Sequence, residues 1–173
     1  MKIFLPDAYY KSIYEIDYKK LKNKNIKLLM FDFDNTIIPK SKHKAEKKHK
    51  EFFKQLKKDF DVVILSNTSH KEKIETFTKE CNVDYINLAL KPLSRGFIKA
   101  KHKYKVKKDE MCMVGDQLIT DVLGAKKLHI KAILVDSIDN DEIKATRFNR
   151  MIENKIIIKR LKKYDFERGK YYD

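Results

Sequence analysis

Five short apolar runs, separated by segments with helical periodicity, most limit what this chain can fold into. The runs span residues 26–33, 61–65, 85–90, 111–115 and 131–135. Continuous apolar runs of this length are typical of strands that are buried on both faces. Between them, segments such as 45–56, 71–80 and 94–104 can each form a helix. Strands alternating with helices predict an α/β fold of three layers, in which helices cover both faces of a central parallel sheet.

The length of the chain favours a single domain. A single core commonly serves about 100–200 residues, and this chain has 173. We therefore expect one domain over residues 1–173, with its strand-end motifs between 26 and 136. A basic C-terminal helix is predicted over about 145–164. Its apolar side is predicted to carry Phe148, Ile152, Ile156 and Leu161.

Polar or charged residues follow the predicted strands. In chain order they are Asp32, Asp34 and Thr36, then Ser66 and Asn67, then Lys91, then Asp116 and Asp121. The carboxyl ends of parallel strands meet at one edge of the sheet, which is where α/β sheets bind ligands. Two carboxylates at the end of a buried strand are costly without a cation or a shared proton. The strand ends therefore predict a functional site.

Several acids and a lysine at one edge suit phosphoryl transfer. A carboxylate can attack phosphorus to give an acyl phosphate, and a second carboxyl can act as general acid and then as general base. Mg2+ held by other carboxylate oxygens would offset the repulsion between the nucleophile and the phosphate. We therefore expect a phosphorylated substrate and Mg2+ as the cofactor.

The motifs DFDNT, SNT, KP and GDQLITD, in this order, resemble those of the phosphatases of the haloacid dehalogenase (HAD) superfamily. Each follows a strand-like run. The segments LPDAYYKSIYEID, KPLSRGF and TRFNRMIE further resemble the YqeG-type branch, in subfamily IIIA. This extends the resemblance over most of residues 4–160. It implies a Rossmann-like HAD fold and a phosphatase activity.

The resemblance implies roles for the acidic residues. Asp32 would be the nucleophile and a Mg2+ ligand. Asp34 would be the general acid and base, and its main-chain carbonyl would also bind Mg2+. Asp116 would complete the metal site. Asp121 would have a supporting role, orienting Lys91 or a metal-bound water.

The same resemblance implies a phosphate-binding set. The Ser66 hydroxyl and the Asn67 backbone N–H would bind the transferred phosphoryl group. Lys91 would offset the charge on Asp32 and on the phosphoryl oxygens. Thr36, the last residue of DFDNT, would support the site.

The gaps between motifs leave no room for a cap domain. Between Thr36 and Ser66 lie 29 residues, and between Asn67 and Lys91 lie 23, which the predicted helices and strands use. We therefore expect an open site, as in enzymes that act on large or surface-bound phosphates or that are closed by oligomerisation. The YqeG-type branch resembles mitochondrial phosphatidylglycerophosphate phosphatases, which makes a lipid head-group phosphate one candidate substrate.

The net charge of +15 is concentrated in three lysine-rich clusters, at 41–58, 99–108 and 155–163. Such clusters attract anionic membranes or nucleic acid, or they simply solvate exposed helix faces. No apolar run approaches the ~18 residues that would span a bilayer, and the first residues are too polar for a signal peptide. We expect a cytoplasmic protein, with peripheral membrane attachment as an alternative. The sequence does not predict an oligomeric state.

Two other functions remain open alongside a lipid phosphatase. One is a phosphatase acting on nucleotides or nucleic-acid ends, and the other is a non-catalytic RNA- or ribosome-associated protein with the same fold. The intact motif set disfavours a pure binding protein, because such a protein has no use for both Asp32 and Asp34. A phosphoacceptor signalling domain is disfavoured because the second aspartate of DFDNT serves to hydrolyse the intermediate.

The cysteines and histidines predict no further site. Cys81 and Cys112 are expected to be buried small apolar residues, and two cysteines exclude a disulfide scaffold. The five histidines show no metal-ligand spacing and are predicted to lie on the surface. Only His70 falls near the predicted site.

Overall fold

The computed structural model describes residues 1–139 and 144–173. For residues 144–147 it describes the backbone but not the side chains. One sheet has six strands in the order β1-β6-β5-β2-β3-β4, and all neighbouring pairs are parallel. The strands are β1 Ala8–Tyr10, β2 Leu28–Phe31, β3 Asp61–Leu65, β4 Asp84–Ile86, β5 Met111–Gly115 and β6 Lys131–Val135. Their carboxyl ends therefore all point to one edge.

Helices connect the strands. They are α1 Tyr18–Asn23, α2 Lys47–Leu56, α3 Lys71–Cys81, α4 Arg95–Tyr104, α5 Leu123–Lys126, α6 Lys144–Ile152 and α7 Ile158–Leu161. Wide turns of π-helix, Leu118–Val122 and Glu153–Ile157, lead into α5 and join α6 to α7. Three short 3₁₀ turns, Lys2–Phe4, Lys108–Glu110 and Lys162–Tyr164, complete the regular structure of the described residues.

Helices cover both faces of the sheet. Because side chains alternate along a strand, each strand contributes residues to the core on both faces. In β2, Leu29 and Phe31 pack on one side with α2 and α3, where Phe53 and Phe77 lie. Leu28 and Met30 pack on the other side, against α4, α5 and α7. The three-layer α/β fold with a central parallel sheet is therefore confirmed.

The five apolar runs each contain a strand, but the structure differs from the prediction at two places. The first strand, β1, was not predicted because it is only three residues long and lies at the sheet edge. The run 85–90 forms a strand only over Asp84–Ile86. Beyond it, Leu88 and Leu90 have positive φ angles of 46° and 56°, which end the extended conformation.

The predicted apolar side of the C-terminal helix is buried at Leu161 and partly buried at Ile152, but the prediction was wrong for Phe148 and Ile156. Phe148 is 58% exposed and Ile156 is 47% exposed, whereas Ile157 and Leu161 are buried. The π-helical turn at Glu153–Ile157 explains why Ile157 is buried in place of Ile156, because its wider i→i+5 spacing departs from the 3.6-residue period. Phe148 precedes this turn, so the turn does not account for its exposure. The side chains of Thr146 and Arg147, in the TRFNRMIE segment, are not among those that the structure describes.

The C-terminal tail, for which the sequence made no prediction, covers the outer edge of the sheet. Tyr9 and Tyr172 form an antiparallel bridge, with N···O distances of 2.7 and 2.9 Å. Phe166 is buried against Tyr9, with ring centroids 5.8 Å apart. The tail therefore occupies the backbone groups of an edge strand that would otherwise be open to pairing.

No cap domain interrupts the described motifs. A loop and α2 lie between β2 and β3, and α3 alone lies between β3 and β4. Within the described residues, no helix has both the length and the apolar character needed to cross a membrane. Cys81 and Cys112 are buried, as predicted. The surface prediction was wrong for His49, which is buried and accepts a hydrogen bond from Glu46 N at 2.9 Å.

Candidate active site

A buried ion cluster lies where β2 and β5 end. Lys91 Nζ lies 2.5 Å from Asp32 Oδ1 and 2.7 Å from Asp121 Oδ1. Asp32 directly follows β2, Asp121 lies in the π-helical turn after β5, and Lys91 comes from the loop after β4. The three residues are distant in sequence, and the parallel sheet brings them together.

Asp116 and Thr36 extend this cluster. Asp116 directly follows β5 and is only 1% exposed. The Thr36 hydroxyl lies 3.2 Å from Asp116 Oδ1 and 3.3 Å from Asp32 Oδ2, so it spans the two carboxylates. One oxygen each from Asp32, Asp116 and Asp121 lie within 4.8 Å of one another, all in buried positions.

The cluster holds more negative than positive charge. Burial raises the pKa of Asp32 to about 8, because the charges of Asp121 and Asp116 add to the desolvation and Lys91 only partly opposes them. Burial also raises the pKa of Asp121. Burial alone would lower the pKa of Lys91, but the charges of Asp121 and Asp32 raise it above its ordinary value. Lys91 therefore stays protonated, and the raised pKa values of Asp32 and Asp121 show that Lys91 alone does not compensate both carboxylates.

The donor set fits a divalent cation. Asp121 Oδ1 is buried and has no aligned hydrogen-bond donor among the described residues, although the Lys91 ammonium contacts it. Clustered carboxylate oxygens are the ligands that Mg2+ prefers, and a divalent cation would offset the excess negative charge.

Asp34 has a different cation as its partner from the acids of this cluster. Its carboxylate pairs with Lys73 of α3, whose Nζ also donates to the Lys40 carbonyl at 2.7 Å. Lys73 is buried, which is rare for a lysine unless it is paired. Sequence reasoning did not identify Lys73, since it is one of many lysines. Its spacing from Phe77, four positions along the buried face of α3, is the signal that could have identified it.

The Ser66–Asn67 segment lies beside Lys91. Ser66 is buried, and its hydroxyl accepts a hydrogen bond from Thr68 N at 3.1 Å. The Asn67 side chain holds the backbone of Lys91 from both sides, accepting from Lys91 N and donating to Lys91 O at 2.8 Å each. This contact through the Asn67 side chain was not predicted. It gives Lys91 a defined position.

A small cavity opens onto the cluster. It has a volume of about 190 Å³ and is lined on its inner side by Asp32, Asp34 and Ser66. His70 and Ser69 line it and also border a wider depression of about 580 Å³, which contains His43 and Lys71. Because the cavity and the depression share Ser69 and His70, a molecule bound in the cavity has room to extend into the depression.

Three residues missed by sequence reasoning brace Asp116 from the C-terminal segment. Arg150 contacts Asp116 Oδ2 at 2.5 Å and the Asp116 carbonyl at 2.8 Å. Glu153 is fully buried; it lies 3.3 Å from Arg150 and 3.2 Å from Arg168, and it accepts from Ile119 N at 2.9 Å. Burial raises the pKa of Glu153, while Arg150 opposes the shift. The π-helical turn that disturbs the apolar period places Glu153 inside.

Gly115 is required by the close approach of Asp121. A Cβ atom at position 115 would lie 2.3 Å from Asp121 Cγ and Oδ2. The end of β5 therefore has no room for a side chain.

Gly115→Ala is expected to lower the free energy of unfolding by about 1–3 kcal/mol, because the added methyl displaces the Asp121 carboxylate from Lys91. Urea denaturation measures the loss. In an Asp121→Gly background the same substitution should cost much less, because both the clashing carboxylate and the Asp121 Cβ, which would lie 2.6 Å from the added methyl, are gone. Equal costs in both backgrounds would contradict this account.

Comparisons with known proteins confirm the family resemblance. A family model described as "Mitochondrial PGP phosphatase" matches residues 1–139. A relative described as "Probable phosphatase YqeG", from Bacillus subtilis (strain 168), is 32% identical over 156 residues. The match covers 90% of this chain and 91% of that protein.

Two solved structures share the fold. A crystal structure of an uncharacterized protein from Listeria monocytogenes serotype 4b matches with a TM-score of 0.54 and 20% identity, over 68% of this chain and 85% of that chain. The cobalt-bound deoxy-D-mannose-octulosonate 8-phosphate phosphatase of Haemophilus influenzae matches with a TM-score of 0.52 and 13% identity, over 81% and 94%. At these identities the likeness concerns the fold alone.

Proposed function

The chain belongs to the HAD-type phosphatase family described as mitochondrial PGP phosphatase, and from this membership we propose that it is a Mg2+-dependent phosphomonoesterase. In this proposal Asp32 forms an aspartyl-phosphate, and the residues 1–173 act as one open phosphatase domain. The phosphorylated group of a lipid, as in phosphatidylglycerophosphate, is the proposed substrate.

The observation that carries the proposal is the buried carboxylate cluster around Lys91. Asp32, Asp116 and Asp121 are held together in the interior, where unbalanced charge is costly. Such an arrangement serves no structural purpose that apolar residues would not serve better. It suits a site that binds a cation together with a phosphate dianion, because each of these two charges offsets the other.

Asp32 and Asp34 would carry the chemical steps. An Asp32 oxygen forms a bond to phosphorus while the bond from phosphorus to the leaving oxygen breaks, and protonated Asp34 supplies the proton to that oxygen. Asp34, now ionised, then takes a proton from a water whose oxygen bonds to phosphorus as the bond from phosphorus to the Asp32 oxygen breaks, which releases inorganic phosphate and regenerates the Asp32 carboxylate. Lys73 holds the ionised Asp34 carboxylate in the lining of the small cavity, which suits the second step, in which Asp34 accepts the proton.

Lys91, Ser66 and Asn67 would position the phosphoryl group. The Lys91 ammonium, 2.5 Å from Asp32, offsets charge on the nucleophile and the phosphoryl oxygens. The Ser66 hydroxyl and the Asn67 N–H are donors at the same edge. Asp121 orients Lys91, which it contacts at 2.7 Å.

Asp32, Asp116 and the Asp34 main-chain carbonyl would hold Mg2+. When bound, Mg2+ supplies charge neutralisation and alignment of the phosphate with the nucleophile. Thr36 keeps the Asp32 and Asp116 carboxylates at a fixed separation through its hydroxyl.

The open site and the basic surface support a lipid substrate. Without a cap, the cavity of about 190 Å³ meets solvent through the wider depression, so a phosphate carried on a large assembly can reach it. The net charge of +15 favours an anionic membrane over a neutral one.

Phosphate release by the full chain tests this proposal. We expect hydrolysis of phosphatidylglycerophosphate in mixed micelles that requires Mg2+ and stops with EDTA. We expect its kcat/KM to exceed that for a 5′-nucleotide or a 5′-phosphorylated oligonucleotide by about tenfold or more. A preference for either nucleic-acid substrate would contradict the lipid assignment. No Mg2+-dependent release from any of these substrates or from p-nitrophenyl phosphate would contradict the enzyme mechanism.

A further inference from the structure

Three exposed leucines surround the lysine of the candidate site. The leucine loop, residues 87–93, connects β4 to α4. Leu88 is 55% exposed, Leu90 is 45% exposed and Leu93 is 59% exposed. Single exposed leucines are common on protein surfaces, whereas several together mark an interaction surface.

The leucine loop turns its leucines outward because it turns Lys91 inward. Ala89 and Lys91 are buried, so Leu88 and Leu90 alternate with them and face solvent. Both leucines have φ angles in the left-handed region, at 46° and 56°, which branched apolar residues rarely adopt. A backbone strained at this position next to a reacting group points to function rather than to packing.

The leucine loop lies at the same edge of the sheet as the site. It follows the carboxyl end of β4, as Asp32 follows β2 and Asp116 follows β5. Each leucine is within three residues of Lys91 in the chain. With about 3.8 Å between consecutive Cα atoms, the leucines lie roughly 4–11 Å or less from Lys91, measured between Cα atoms.

The chain from the leucine loop to the end of α4 carries cations and no acid, although Asp84 lies just before the loop, at the start of β4. Residues 85–108 include seven Lys and one Arg and no Asp or Glu. Arg95 and Lys99, on the first turns of α4, are exposed beside Ile98, which is 39% exposed. The patch therefore combines apolar side chains with cations.

We infer that the leucine loop is a membrane-docking element, which inserts Leu88, Leu90 and Leu93 into the surface of an anionic bilayer. This inference rests on the proposed function, since docking there would bring the site to a lipid phosphate. An anionic bilayer offers both an apolar layer for leucines and a negative surface for Arg95 and Lys99. RNA would contact the cations of this patch through its phosphates but would not bury the leucines. A second copy would bring another net charge of +15 against the same patch.

Vesicle sedimentation of the full chain tests the inference. The vesicles are phosphatidylcholine alone, or phosphatidylcholine with phosphatidylglycerol, in 0.15 M salt. We expect about tenfold or stronger partition of the wild type onto the anionic vesicles. The triple variant Leu88→Ser/Leu90→Ser/Leu93→Ser should lose about tenfold or more of that partition, because it lacks the inserted side chains.

Two matched variants control for a general loss of apolar surface. Ile3→Ser removes an exposed apolar residue ahead of β1, at the amino ends of the strands, and should bind vesicles like the wild type. Ile156→Ser alters the exposed side of the C-terminal helix and should also bind like the wild type. Thermal unfolding checks that each variant is folded.

Several outcomes would overturn the inference. They are no binding of the wild type to anionic vesicles, equal binding of the triple variant, or a loss with Ile156→Ser as large as that of the triple variant. A wild-type dimer that the triple variant abolishes, without vesicle binding, would assign the leucine loop to a second copy. Hydrolysis of p-nitrophenyl phosphate by the wild type reports the proposed chemistry separately, because it needs no vesicle.

Discussion

Asp32→Asn is expected to abolish phosphate release and, at the same time, to stabilise the metal-free protein. Asparagine cannot form the aspartyl-phosphate, so kcat should fall on the order of 10³-fold or more. The substitution is nearly isosteric, so the buried position beside Thr36 keeps its shape. Lys91 keeps Asp121 as its partner.

The stability gain of Asp32→Asn should grow with pH. The pKa of Asp32 is raised to about 8 in the folded chain, compared with an ordinary value of about 3.9. In the wild type, the stability linked to the protonated carboxyl is present below about pH 4 and is lost as the pH rises toward 8. The variant carries no such proton, so its advantage should be small near pH 4 and about 2 kcal/mol or more near pH 8. Urea denaturation in EDTA measures it.

Asp59→Asn is the matched control for this prediction. Asp59 is a surface residue whose side chain is 45% exposed and pairs with Lys22. Its substitution should change neither the rate of phosphate release nor the pH dependence of stability. Activity within tenfold of the wild type for Asp32→Asn would show that Asp32 is not the nucleophile.

Glu153→Ala is expected to lower the free energy of unfolding substantially. It would leave the Ile119 N–H without its acceptor and remove the carboxylate between Arg150 and Arg168. Breaking a buried ion network costs about 3–5 kcal/mol, and we expect about 2–4 kcal/mol here because both guanidinium groups are partly solvated. The midpoint of urea denaturation should fall accordingly.

A loss of Mg2+ affinity should accompany the loss of stability in Glu153→Ala. Arg150 holds both the carboxylate and the carbonyl of Asp116, so its release disturbs a proposed metal ligand. Titration calorimetry with Mg2+ measures this without turnover. Glu153→Gln keeps an oxygen for Ile119 N and should lose less stability. Arg150, Glu153 and Arg168 together form the C-terminal brace of Asp116. Unchanged Mg2+ affinity in a folded Glu153→Ala protein would mean that this brace is only structural.

The strand-end pattern predicted the main features of the fold and much of the site. Parallel strands are covered on both faces and therefore have continuous apolar sequences. Such a run can be recognised from neighbouring residues alone. Parallel strands then bring their ends together whatever the intervening helices are. Asp32, Lys91, Asp116 and Asp121 could therefore be expected at one edge, where the structure has them.

The parts that sequence reasoning missed depend on contacts between distant segments. Lys73 and Arg150 are two of 40 basic residues, and only burial distinguishes them from solvated ones. The π-helical turn at Glu153–Ile157 breaks the period on which helix-face predictions rely. The strand β1 is completed by Tyr172, a partner more than 160 positions away.

The C-terminal brace also bears on how the chain becomes folded during synthesis. Translation is vectorial, so Asp32, Asp116 and Asp121 emerge before Arg150, Glu153 and Arg168. A nascent chain that ends near residue 139 would carry all four motifs while lacking the guanidinium groups that neutralise Asp116. The nascent motif region therefore holds its acids without part of their counter-charge until Arg150, Glu153 and Arg168 have been synthesised, and the site is expected to fold completely only then.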